Sequence, residues 1–229
     1  MKILLAPSET KKEGGEESFN LNSLFLPQIN KVREELLEEY QKVIDSKDIK
    51  KISKMFGLKK ESDIKKYLTD IKKEPTLKAI NRYSGVAFDF LDYNSLNSSA
   101  KEYINSNVLI FSNLFGIIRA KDKIPNYRLK QGESIDNIKV DLIYKKAIKE
   151  PLDEFLKNED ILDLRATYYN KFYKPTKHYT TLKFIKNNKV VSHWAKAYRG
   201  IVLRELAINN INSINDFFSL NLSSRQKII

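Results

Sequence analysis

The sequence predicts an α/β fold arranged as one compact domain, on three observations. Short apolar runs at residues 2–6, 108–111 and 161–164 have the length and composition of buried strands. They alternate with longer segments of helical period at 28–45, 140–156 and 196–208. No repeat, low-complexity tract or Pro/Gly/Ser-rich linker interrupts the 229 residues, so residues 1–229 are expected to form a single domain with length enough for a core.

Taken in order, the strand at 2–6 ends at Pro7 and gives way to a polar loop of Ser8, Glu9, Thr10 and Lys11, then a stretch to Ser18 expected to be mobile. Loops at the carboxyl ends of strands are where α/β sheets meet ligands, which singles out Ser8, Thr10 and Lys11; an ordinary surface loop has the same composition. Within 28–45, Ile29, Val32, Leu36, Leu37, Tyr40, Val43 and Ile44 recur at helical spacing. Residues 47–56 and 62–71 are predicted as two shorter helices, the second capped by Ser62. They make about 28–73 a helical subregion. A strand at 77–83, a Ser84-Gly85 turn, an amphipathic segment at 86–96 and a helix at 100–104 lead to the strand at 108–111. Residues 113–132 are expected to be mostly loop, and Pro151 to kink or break the helix at 140–156. A hairpin of 179–185 with 190–194, turning at Asn187-Asn188, precedes the last helix.

Charge points to a class of partner. The chain carries 41 basic against 29 acidic residues, a net charge of +12, and such an excess favours polyanions. Lysine supplies 33 of the basic residues, a bias that an AT-rich genome also imposes, so distribution matters more than the total. Residues 47–78 hold eleven lysines against five acids. Residues 165–204 hold ten basic residues and no acid, interleaved with Tyr168, Tyr169, Phe172, Tyr173, Tyr179, Phe184, Trp194 and Tyr198. Exposed rings would stack on bases, whereas buried ones belong to the core.

Two local patterns sharpen this. The helices of 47–71 join through Gly57-Leu58-Lys59-Lys60, an apolar-Gly-apolar turn among lysines that suggests a helix-hairpin-helix, whose turn N–H groups hold a DNA phosphate. Lys59 stands where the usual turn has a second glycine, and a plain helical hairpin is the alternative. On 196–208, Lys196 and Arg199 lie one turn apart on a helix that is apolar around most of its circumference. Cations so placed need either a protein carboxylate or a bound anion.

Much chemistry is excluded or unsupported. The absence of cysteine removes disulfides, thiolate ligands and a cysteine nucleophile, and fits a reducing cytoplasm. His178 and His193 are the only histidines, so no metal site is expected, and without a Gly-rich phosphate loop or other motif no cofactor is expected either. No apolar run has the length of a secretory core or a membrane span. Arg119 with Asp122 suits a structural ion pair.

Four segments then carry a family resemblance: MKILLAPSETK, RYSGVAFDFLDYNSL, FSNLFGIIRAKDKIPNYRLKQG and HWAKAYRGIVLRELA. Together the chain resembles the YaaA peroxide-stress proteins over nearly its whole length, with Ser84 standing where many members have a basic residue. The resemblance implies a mixed α+β domain of unusual topology, with a central mixed sheet, a basic cleft and a helix-hairpin-helix-like insertion. It also implies duplex DNA binding without sequence preference and a role in limiting damage from peroxide and free iron. The nucleic-acid-binding residues are then expected to be Lys196, Arg199, Arg204, Arg119, Arg128, Tyr127 and Lys11, with Gly57, Lys59 and Lys60 of the hairpin; Ser8, Thr10, Tyr83 and Ser84 would line a pocket. The competing expectation is an enzyme acting on a nucleotide or nucleic-acid base around Lys196 and Arg199. A cytoplasmic monomer without membrane contact is expected in either case.

Overall fold

The computed structural model describes residues 1–186, 189–190 and 194–220. Strand β1 (Lys2–Leu5) is followed by helices α1 (Asn30–Asp45), α2 (Ile49–Phe56) and α3 (Glu61–Lys65). Strand β2 (Thr76–Lys78) then leads into α4 (Ala79–Arg82), α5 (Val86–Leu91) and α6 (Ser98–Asn107). Strands β3 (Val108–Ser112), β4 (Gly116–Arg119) and β5 (Lys123–Pro125) precede α7 (Val140–Leu156). The remainder comprises β6 (Ile161–Asp163), β7 (Thr180–Thr181), β8 (Ile185–Lys186), β9 (Lys189–Val190), α8 (Ala195–Ile208) and α9 (Ile214–Ser219).

The fold is mixed α/β around a five-stranded sheet of order β4-β3-β1-β6-β7. Strands β3, β1, β6 and β7 run parallel, and β4 is antiparallel at one edge. The apolar runs read from the sequence fill its centre: Ile3, Leu4, Val108, Ile110, Phe111 and Leu162 are fully buried. A parallel strand covered on both faces has no polar side to alternate with, which is why these segments are continuously apolar. The chain builds from β1 toward β3 on one side and returns to place β6 on the other. The loops after β1 and β6 therefore part at their carboxyl ends, where an open α/β sheet leaves a crevice.

Several predicted boundaries move, each for a physical reason. The strand expected at 77–83 stops at Lys78, because Asp122 and Ala120 carbonyls take the N–H groups of Ala79 and Ile80 and Tyr83 N–H closes a helical turn on Ala79. The helix expected at 62–71 spans only Glu61–Lys65, and Lys60 rather than Ser62 occupies its cap position, with no side-chain hydrogen bond. Residues 113–132 contain β4 and β5, short strands disguised by the glycine, arginine and proline at their own ends. Pro151 lies inside an unbroken α7, whose Tyr144, Ile148, Leu152 and Leu156 bury one continuous stripe on either side of it. Of the hairpin expected from 179 to 194, β7 joins the main sheet beside β6, while β8 pairs with β9 in the register Lys186↔Lys189; Asn187, Asn188 and 191–193 lie outside the described residues.

Two buried arginines fix the irregular parts. Arg33 takes a core position on α1, and its guanidinium donates to the carbonyls of Phe115 (2.9 Å), Leu26 (3.3 Å) and Ile117 (2.5 Å) and to Asn30 Oδ1 (2.8 Å). Arg82 donates to the carbonyls of Ile124 (3.2 Å), Lys12 (2.5 Å), Gly14 (2.9 Å) and Pro75 (2.7 Å). The stretch from Lys11 to Ser18 is thus pinned, contrary to expectation, and bridges from Lys11 to Tyr83 and from Glu17 to Thr76 extend the attachment.

Helix α8 docks on α5 at nearly backbone distance. A Cβ added at Gly200 would lie 2.1 Å from the carbonyl oxygen of Ala87, so only glycine allows the crossing. Gly200→Ala should therefore push the two helices apart and lower stability in urea denaturation by about 1–3 kcal/mol, the range of core overpacking. A midpoint equal to that of the native protein would show that the crossing yields freely.

Candidate functional site

The crevice predicted by the strand order is present as a cavity of about 370 Å³. Its floor is the end of β1 with the loop through Pro7, Ser8, Glu9 and Thr10. Val86, Ala87 and Phe88 of α5 form one wall, Ala166 and Tyr169 after β6 form another, and Lys196 and Arg199 reach in from α8. The loops that the sequence marked after the first strand and the cations marked on the last long helix thus meet in one place.

Lys196 and Arg199 differ in setting. Lys196 is exposed at the mouth, not buried as its helix suggested, whereas Arg199 is half-buried. Burial lowers the Arg199 pKa, offset in part by Asp163. Asp163 is not free to pair with it. Arg165 engages that carboxylate through two donors, at 2.9 and 2.7 Å, and spends its remaining donors on the carbonyls of Tyr169 and Tyr173 and on Asn170. Arg165, the start of the acid-free stretch, is therefore a buried structural residue lying 4.2 Å over the Phe111 ring. Among the described residues Arg199 is the arginine with neither a hydrogen-bond partner nor an aromatic ring beneath it.

The hydroxyls on the floor are already committed. Thr10 Oγ1 donates to the Ser84 carbonyl at 2.9 Å, so Ser8 Oγ donates to Thr10 Oγ1 across 3.0 Å while accepting from the Thr10 N–H. This closed turn packs against α5, where a Cβ at Gly85 would lie 3.1 Å from both hydroxyls. Ser8 and Thr10 shape the cavity and retain only acceptor capacity toward it. Ser84 is held by its backbone to Thr10 and lines a smaller neighbouring cavity with Asn81, Asp89 and Asp92.

Behind the floor lies a buried polar chain. Tyr127 Oη is 2.8 Å from Ser112 Oγ and 2.9 Å from Tyr83 Oη, and Ser112 Oγ also accepts the N–H groups of Leu114 and Phe115. Burial drives the Tyr127 pKa up to about 12 and raises that of Tyr83 as well, so both are neutral donors. The Lys11 ammonium lies 4.0 Å over the Tyr127 ring and 5.3 Å over that of Tyr83, donating to the carbonyls of Ser8 and Glu9. Tyr83, Tyr127 and Lys11 therefore support the loop from behind and do not line the cavity.

Three other expected ligands also serve structure. Arg128 donates to the Phe56 carbonyl, the Glu9 carbonyl and Glu9 Oε2, each at 2.9 Å. Arg204 caps the end of α5 on the carbonyls of Leu91 (2.8 Å) and Asp92 (3.0 Å). Arg119 lies 4.6 Å over Phe25 beside a separate cavity that contains Pro27 and Phe155, away from Lys196. Its expected partner Asp122 bonds backbone instead, accepting the N–H groups of Phe25 and Arg119.

At the hairpin, Gly57 ends α2 in the left-handed region (φ 65°), with Leu58 N–H returning to the Ser53 carbonyl as in a glycine-capped helix. Lys59 and Lys60 are exposed, and neither is ion-paired among the described residues. The segment 128–131 links this turn to the cavity. Lys130 N–H bonds the Met55 carbonyl and its side chain covers Gly57, while the next residue, Gln131, donates its N–H to Glu9 Oε1 and lines the cavity. Glu9 and Gln131 were not singled out by the sequence; the one carboxylate in the loop after β1 was the available signal for Glu9.

Lys11 gives this support a pH signature. Burial, reinforced by Arg128 and opposed by Glu9, lowers its pKa from 10.5 to about 7. The unfolded chain therefore holds that proton more tightly, and stability attributable to Lys11 is least below about pH 7 and rises toward 10.5. Thermal unfolding across this range should show the native protein gaining on Lys11→Met as pH rises; parallel profiles would contradict the assignment.

Comparison with known proteins finds relatives along nearly the whole chain. A family model described as peroxide stress protein YaaA matches residues 1–224. An uncharacterized protein of Campylobacter jejuni is 43% identical over 229 residues, covering 100% of this chain and 93% of the relative. A UPF0246 protein of Corynebacterium glutamicum is 33% identical, covering 94% and 88% of the two chains, and one of Streptomyces coelicolor is 31% identical, covering 90% and 82%. With a match over residues 1–224 and relatives of this identity along almost its full length, the chain belongs to the peroxide stress protein YaaA family.

Proposed function

We propose that this protein acts in the peroxide response by binding duplex DNA without sequence preference. Phosphates would be held by the exposed lysines of the α2–α3 hairpin and by Lys196 and Arg199. One observation carries the reading: segment 128–131 joins the hairpin turn to the cavity floor, through Arg128 on Phe56 and Glu9 and through Lys130 and Gln131. Cations without an ion-pair partner among the described residues thus stand on both sides of a single short segment. A backbone tracked along them would bridge both groups, and phosphate contacts of this kind position a duplex without reading its bases. Protein limiting damage by peroxide and free iron would then do so on the DNA itself.

The second reading, an enzyme acting on a nucleotide or base, is favoured by the concave shape of the cavity. A duplex surface needs no such depth.

Fluorescence anisotropy with labelled duplexes over a salt series tests the leading reading. Affinity should fall steeply with salt, by a slope of roughly 0.9 per phosphate neutralised. The double variant Lys59→Ala/Lys60→Ala should weaken binding equally for unrelated sequences and reduce that slope by about two such contacts. Arg128→Lys should instead lower thermal stability, since its fork holds three acceptors. Salt-independent binding, or none at low salt, would refute the reading.

A further inference from the structure

The cavity between α5, α8 and the loop after β1 has two unlike halves. On one side stand Arg199 and Lys196; on the other, Val86, Ala87 and Tyr169 form an apolar wall. Tyr169 is fixed there by its hydroxyl, which donates to Asn113 Oδ1 at 3.1 Å. We propose that this cavity is a binding site for a single nucleotide, its phosphate on Arg199 and Lys196 and its base against the Val86–Tyr169 side. The proposal rests on the DNA reading only for the nucleotide's source, which is either free in solution or swung out of a duplex held at the hairpin.

Four features support this occupant. Arg199 is half-buried and has no hydrogen-bond partner among the described residues, and the carboxylate nearest it in charge effect, Asp163, is engaged by Arg165 through both oxygens. The chain from 185 to 198 contains no acid that could approach it locally. A guanidinium with two free N–H edges matches phosphate geometry, and a lysine one turn away adds charge at the mouth. A purely anionic ligand would leave the apolar wall bare, whereas a base covers it.

The third feature is Glu9. Glu9 lines the cavity, its carboxylate ion-paired with Arg128 and accepting the Gln131 N–H. Its remaining lone pairs, with those of the Ser8 and Thr10 hydroxyls, form an acceptor-only surface suited to the amino groups of a base or the hydroxyls of a sugar. Finally, the volume of about 370 Å³ falls in the small-molecule range of about 300–1,000 Å³. Enzymes and binders that extract a base from a duplex receive it in such an apolar pocket with a few polar groups at its edge.

The test has two arms, run on native protein and on Arg199→Ala, Lys196→Ala and Ala166→Leu, the last placed to fill the cavity, each checked for cooperative unfolding. In the first, calorimetric titration compares nucleoside monophosphates with inorganic phosphate and with nucleosides. Monophosphates should bind about tenfold or more tightly than either, and Arg199→Ala and Ala166→Leu should abolish the difference. In the second, a duplex carries an unpaired fluorescent purine whose emission rises on leaving the stack. An increase on binding that disappears in Ala166→Leu, with duplex affinity retained, identifies the swung-out source.

Either arm supports the site and names its source. Inorganic phosphate binding as well as the monophosphates, together with no fluorescence change, would overturn it. If duplex DNA does not bind but monophosphates do, the DNA reading falls and the nucleotide site stands. If duplex binds with both arms negative, the site falls and the DNA reading stands.

Discussion

A guanidinium removed from water must have its five N–H donors answered, and in this protein the answer comes chiefly from loop carbonyls. Arg33 collects the β3–β4 turn and the chain before α1; Arg82 collects both ends of the segment after the opening loop. Arg128 ties the end of α2 to Glu9, and Arg165 ties the end of β6 to the turn that follows it. Each replaces what a regular element would otherwise provide, a backbone partner for a buried carbonyl. Long irregular connections can then cross the faces of a small sheet without exposing their polar groups.

That economy also defines the site by exception. Arginines that satisfy themselves on the protein are unavailable to a ligand, however cationic the sequence around them. The acid-free stretch from Arg165 to Arg204 contains both kinds: Arg165 is spent at its start, Arg204 is anchored through one nitrogen to the end of α5, and Arg199 between them faces a cavity. Because α8 meets α5 at backbone distance, Arg199 and the apolar wall of α5 are held as one piece, and the floor follows through Gly85. Geometry rather than total charge separates a binding cation from a structural one.

The legible parts of the fold were those set by burial alone. Strands β1, β3 and β6 and helices α1, α7 and α8 were readable because each buries a continuous apolar run or stripe, which is a local property. Strand β4 and helix α4 were not, since their form depends on partners distant in sequence: β3 in one case, the carbonyls of Ala120 and Asp122 in the other. Within the site, Ser8, Thr10, Lys196 and Arg199, marked separately in the sequence, line one cavity, while the side chains of Arg119, Arg128, Arg204 and Tyr127 lie on protein partners outside it. Arg33 carried a usable sign: it falls on the same helical stripe as Leu36, Leu37 and Tyr40, where a cation has no reason to sit unless carbonyls await it. Arg82 carried none.

The hairpin has one more property, visible in the buried residues of α2. Met55 is buried at 1% exposure, and Met1, the other methionine, is buried against the core at 8%; cysteine is absent altogether. Thiols and accessible thioethers are the side chains that peroxide attacks first. A chain in a family named for peroxide stress thus presents almost no sulfur to the oxidant. Its folded form therefore offers such chemistry little purchase at sulfur.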